Sequence, residues 1–206
     1  MKLIFTSLFF VLFINHQTVK KTYLFDYFLE YEEKKTGDKF FILINSKDPS
    51  YYYWGYNNYF EKRIGFIHDD NSDSSYKIAY KNHNNSVQFT YLESIKVKKS
   101  NYVNPYVIQS NTDKKDSLNT NLTAFAYYKK IRKKHSRKIE ATFENCELKM
   151  PFEIFNHLTH GTFTDKPIAI PKGILIYFSV DYTNGVILKY SMTNKKNIKT
   201  QLNIPQ

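Results

Sequence analysis

The side chains able to do chemistry in this chain are few and scattered. His157 and His160 stand three residues apart, a spacing that puts two imidazoles on one helical face, where both could meet one metal ion. No carboxylate between them and no second cysteine completes a zinc signature, so they are weak metal candidates and no cofactor is expected. Asp69, Asn71 and Asp73 alternate like the start of a calcium loop, but Ser74 stands where Gly is needed and Tyr80 where Glu is needed. That segment reads as a polar turn. Cys146 is the single cysteine, with His135, His157 or His160 as conceivable bases. Glu144 and Glu147 flank it, and nearby carboxylates raise a thiol pKa and oppose activation, so it reads as a structural thiol. The chain has no Gly-rich phosphate loop, no Gly-x-Ser-x-Gly elbow and no Cys-x-x-Cys pair. No catalytic residue is assigned.

Charge and aromatic rings are the other two signals. The net charge is +11, and the segment Lys96 to Lys138 holds twelve Lys or Arg against only Asp113 and Asp116. Basicity is therefore the property of one segment. Its densest part supplies the anion-binding candidates Lys129, Lys130, Arg132, Lys133, Lys134, Arg137 and Lys138, with Tyr127 and Tyr128 beside them. The competing reading is a solvated hairpin tip whose lysines keep edge strands from aggregating. Tyr51 to Tyr56, followed by Tyr59 and Phe60, is the densest ring cluster. Tyr52, Trp54, Tyr56 and Tyr59 are candidates for an aromatic surface facing carbohydrate or lipid, unless alternate rings simply fill a core.

The elements that must position these residues read as strands. Thr22 to Glu33 alternates, with Tyr23, Phe25, Tyr27, Leu29 and Tyr31 expected on one face. Phe40 to Ile44, Tyr51 to Tyr56, Tyr59 to Ile67, the run around Tyr76 to Tyr80 and that around Val87 to Tyr91 follow the same grammar. Asn111 to Asn121 is polar and reads as a long loop. Leu122 to Arg132 and Lys138 to Leu148 read as two strands joined near His135. Ile174 to Val180, Asn184-Gly185 and Val186 to Met192 read as a hairpin, and Ile198 to Ile204 as a last strand. Five alanines in the chain disfavour long helices, and Phe152 to His160, between Pro151 and Gly161, is the one helix expected. The expectation is mainly β: a single curved antiparallel sheet or partly open barrel, with one short helix before the C-terminal hairpin.

Residues 1–17 begin Met1-Lys2, run apolar from Leu3 to Ile14 and turn polar at Asn15, which reads as a secretory signal followed by a β-rich domain over 18–206. No cysteine ends the apolar run, so an N-terminal lipoprotein is excluded. An exported protein is expected, in the periplasm, at the outer membrane or outside the cell, with no membrane span after signal removal. Composition agrees: 42% hydrophobic residues can form a core, and one cysteine cannot build a disulfide scaffold.

The segment Pro167-Ile168-Ala169-Ile170-Pro171-Lys172-Gly173-Ile174-Leu175-Ile176, followed by Asp181-Tyr182-Thr183-Asn184-Gly185, is similar in layout to secreted GLPGLI-type proteins of Bacteroidota. Those carry a Leu-Pro-Gly-Leu-Ile core before a hairpin. Here Lys172 is inserted and the leading Gly is missing. The resemblance implies a cell-envelope or secreted protein with a curved antiparallel sheet, and brings no catalytic residues with it. The functional expectation is non-enzymatic binding of an apolar or anionic partner: lipid, polysaccharide or another envelope protein, ahead of nucleic acid. The alternative is a secreted hydrolase with a His-based metal site or a Cys site. The oligomeric state is left open.

Overall fold

A computed structural model of the chain describes residues 20–57, 63–72, 74–83, 86–97, 105–129, 131–159 and 168–205. The signal segment, Tyr59, Lys130, His160 and Gly161 lie outside the described residues.

Six strands rise and fall in sequence order: β1 (Lys20–Glu33), β2 (Lys39–Ile44), β3 (Tyr51–Asn57), β4 (Ile64–Asp69), β5 (Ser74–His83) and β6 (Ser86–Lys96). A second run follows: β7 (Tyr106–Lys114), β8 (Asn119–Tyr128), β9 (Ile131–Glu144), the helix α1 (Phe152–Leu158), β10 (Ile174–Tyr182) and β11 (Ile187–Pro205). The two runs meet where β1 pairs antiparallel with β11, giving one sheet in the order β6-β5-β4-β3-β2-β1-β11-β10-β9-β8-β7. The sheet is antiparallel throughout and is not closed, since β6 and β7 are its two edges.

Covalent connectivity requires the sheet to curl. Lys96 ends β6 and Tyr106 begins β7. Ten residues of chain reach at most about 36 Å. Ten strand spacings laid flat would put those edges about 48 Å apart. Side-chain contacts show where the curl is filled. Phe155 of α1 lies 6.3 Å from Phe143 of β9 between ring centroids, while His157, half a turn away, lies 4.4 Å from Trp54 of β3. The sheet therefore wraps around α1, which supplies Ile154, Phe155 and Leu158 to the first core.

Period-two alternation divides the rings between two cores. Phe40, Ile42, Ile44, Tyr52 and Trp54 point to the α1 side, whereas Phe41, Leu43, Tyr51 and Tyr53 point to a second core with Ile67, Tyr76, Ile78 and Tyr80. Strand β1 does not keep one face as its alternation predicts. Tyr23 and Phe25 belong to the second core, and Leu29 and Tyr31 to the first. The change falls where the register against β11 slips between Phe25 and Tyr27, and such a bulge bends a strand and re-aims its side chains.

Other expectations need correction. The polar stretch Asn111 to Asn121 is mostly strand: the ends of β7 and β8 with a turn whose Asp116 carboxylate accepts the backbone N–H groups of Leu118 and Asn119. This hairpin arm is largely in water, so no apolar alternation marks it. Strands β8 and β9 join at Lys129 rather than near His135, which sits within β9 opposite Tyr127. Cys146 lies in an exposed bend just after β9. The last two expected strands are one, β11, because two register slips opposite β1 absorb the polar Thr193 to Asn197 without breaking the ladder. The hairpin turn stands as expected, with Gly185 at φ +88°. Helix α1 also stands, with Pro151 as its N-cap residue.

Gly173 has a structural reason. Its φ is +139°, and a side chain there would strike the carbonyl oxygen of Glu144. Its N–H donates to the carbonyl of Leu148 at 2.8 Å, tying the segment after α1 to the connection between β9 and α1.

Candidate functional site

A cavity of about 690 Å³ opens between α1 and strands β2, β3 and β4, with β10 and β11 at its far side. Strand pairing builds its wall. Ile42 stands opposite Trp54 and Phe40 opposite Tyr56, so even-numbered residues of β2 and β3 share the concave face. Tyr52 stands opposite His68 for the same reason. The rings then stack across the sheet. Tyr31 and Phe40 lie 5.2 Å apart at 13°, Phe40 and Trp54 4.6 Å apart at 7°, and Trp54 and His157 4.4 Å apart at 24°. A second stack, Phe178 on Tyr190 at 4.6 Å, meets Phe40 edge-on. Such pairs contribute about 0.5–1.5 kcal/mol each beyond burial, so the wall is rigid.

Polar groups stand at intervals on this apolar wall. His68 stacks on Tyr52 at 4.9 Å and lies 5.7 Å from His157 between centroids. Burial, then the neighbouring His157, hold the His68 imidazole down at about 4. The Tyr56 hydroxyl lies 3.4 Å from Nε2 of His157. Glu153 and Asn156 of α1 line the same space, as do Asp38 and Lys39. The Lys39 ammonium is held by Glu32 at 3.1 Å and Glu30 at 3.9 Å. Burial, then the carboxylates of Glu153 and Asp70, push the Tyr52 phenol up. Tyr190 is pushed up by burial, then by Glu33 and Asp38. Trp54 is 4% exposed and lines the cavity, yet its indole N–H has no hydrogen-bond partner among the described residues. A buried donor left so costs about 1–3 kcal/mol.

The aromatic candidates thus divide. Tyr52 and Trp54 are wall rather than open platform, since each already stacks on protein rings. Tyr56 stands at the mouth, 37% exposed. The histidine partner is also different from the one the sequence suggests. His157 meets His68, 89 residues away in sequence, through a fold contact that no local spacing encodes. Glu153, Asp38, Phe178 and Tyr190 join the site in the same way. Among the described residues no three His, Cys, Asp or Glu side chains are grouped so as to hold a metal ion. Among the described residues no Ser, Thr or Cys lines the cavity. Cys146 borders a different hollow with Glu147, Lys114 and Lys172, away from His68 and His157.

The described basic candidates lie elsewhere, on β9 and in the turn before it. Lys129 is exposed, and Arg132, Lys133 and Lys134 are backbone positions of β9. Arg137 is already engaged: its guanidinium lies 5.0 Å from the Tyr106 ring and 5.2 Å from the Tyr182 ring. Lys138 pairs with Glu140 at 2.7 Å.

No helix among the described residues is long and apolar enough to cross a membrane. The chain matches no family model and no curated protein.

Proposed function

We propose that this chain is an exported cell-envelope protein that binds a small, largely apolar ligand in the α1 cavity without transforming it. The cavity carries this reading. It has the size usual for small-molecule sites, about 300–1,000 Å³, with a stacked aromatic wall and a few separated polar groups. A catalytic reading has less support at the same place, because among the described residues two imidazoles stand there with no Ser, Thr or Cys beside them. The apolar leader and the similarity of residues 167–185 to GLPGLI-type proteins support the envelope setting.

Trp54 is the chain's one tryptophan and lies in the cavity wall, so its emission reports occupancy. Titrating the delipidated protein with the neutral apolar probe 1-octanol is expected to change that emission saturably, at one site per chain. A linear, non-saturating response would overturn the binding reading.

A further inference from the structure

The cavity has a charge opposite to that of the molecule. The chain carries +11, but that excess is concentrated in Lys96 to Lys138, and none of the described lining residues comes from that segment. Instead Asp38 and Glu153 line the mouth from two sides, one in the β1–β2 turn and one in the first turn of α1. Neither is in an ion pair among the described residues. Asp70 adds to them, near enough to Glu153 that its own carboxyl is pushed up, by burial first and then by that neighbour. The one lysine lining the space is turned to Glu32 and Glu30. The remaining described wall is mostly ring, Phe40, Tyr52, Trp54, Tyr56, Phe178 and Tyr190, with the imidazoles of His68 and His157, the Asn156 amide and Leu158 among them. Aromatic rings with carboxylates at the rim are the surroundings that attract an organic cation, through the ring quadrupole and through direct charge. The Trp54 N–H, a buried donor with no partner among the described residues, belongs to that wall.

We propose that the ligand of this cavity is a cationic amphiphile, an amine or quaternary ammonium carried on an apolar body. The proposal rests on the binding reading above and specifies the charge of what is bound. The apolar body lies along the Phe40–Trp54 wall, and the cation sits at the mouth between Asp38 and Glu153.

Three probes of equal chain length separate the two claims: octyltrimethylammonium, octanoate and 1-octanol, each titrated against Trp54 emission of the full chain at low salt. The ammonium is expected to bind about tenfold or more tightly than octanoate. That preference is expected to shrink about threefold or more in Glu153→Gln and in Asp38→Asn. Raising the salt from about 20 to about 500 mM should also erode the preference in the unmodified protein, which needs no variant to fold. Equal affinity for ammonium and octanoate, or a preference untouched by both substitutions and by salt, overturns the cation proposal while leaving apolar binding in place. If none of the three probes gives saturable binding, the binding reading falls and the cation proposal with it.

Discussion

His68 holds its imidazole against the ring of Tyr52, with Ser75 Oγ 3.4 Å from Nδ1. Its folded-state pKa of about 4 lies below the ordinary 6.5 of a free imidazole, so the unfolded chain binds that proton more readily. The stability this group contributes is fully present above about pH 6.5. It is lost progressively as pH falls from there towards 4. Allowing for its partial exposure, the loss is on the order of 2 kcal/mol. In His68→Phe the difference in unfolding free energy between pH 7.5 and pH 4.5, measured in urea, should shrink by about that amount. An unchanged difference would mean that His68 stays ionised in the fold. No feature of β4 taken alone, Ile64-Gly65-Phe66-Ile67-His68-Asp69, marks this histidine as different from the others. Its character comes from Tyr52 and His157, which reach it only through strand pairing and α1.

Helix α1 is short, seven residues, and has no side-chain cap. A helix of that length does not hold itself in water, so the sheet holds it. Phe155, 2% exposed against Phe143, is the anchor. Phe155→Ala is expected to cost about 3–5 kcal/mol in urea unfolding, whereas Glu153→Gln on the same helix should cost under about 0.5 kcal/mol. Comparable losses for the two would show that α1 is not anchored through its core face. The helix was legible beforehand because Pro151 and an Ala-poor β background single it out. The strands were legible where one face is wet and one dry, as in Tyr76 to Tyr80. Sequence reasoning failed where the physics is not local. Asn111 to Lys114 pairs in β7 with both faces in water, and Thr193 to Asn197 is polar enough to read as a turn, yet the β1 ladder carries it through. The candidate site divides in the same way. Tyr52, Trp54 and Tyr56 were visible as a run of rings, whereas Phe178 and Tyr190 join them only because β10 and β11 curl round to face β2.

At the scale of the whole molecule, a mainly β chain with one curved antiparallel sheet was readable from composition and alternation, but its strand order was not. Every pairing joins strands that are neighbours in sequence except the central one, of the first and last strands, while the sequence neighbours β6 and β7 form the two edges. Lys20 faces Pro205 in that pair, so the two ends of the folded domain are adjacent. Joining them and opening the chain between Val97 and Pro105 would give the order β7 through β11, then β1 through β6, a meander with no long-range pairing. The permutant should therefore refold at least about tenfold faster, by stopped-flow fluorescence, because the largest loop closure is removed. An unchanged rate would place the barrier elsewhere than in the β1–β11 closure. In the natural order the consequence is one of timing. Until β11 is available, β1 and β10 each present a long unpaired edge bearing Tyr31, Leu29, Phe178 and Val180, and such edges pair with any strand that arrives. The sheet is completed at its centre by the last of its strands, so its hazard is greatest just before β11 arrives.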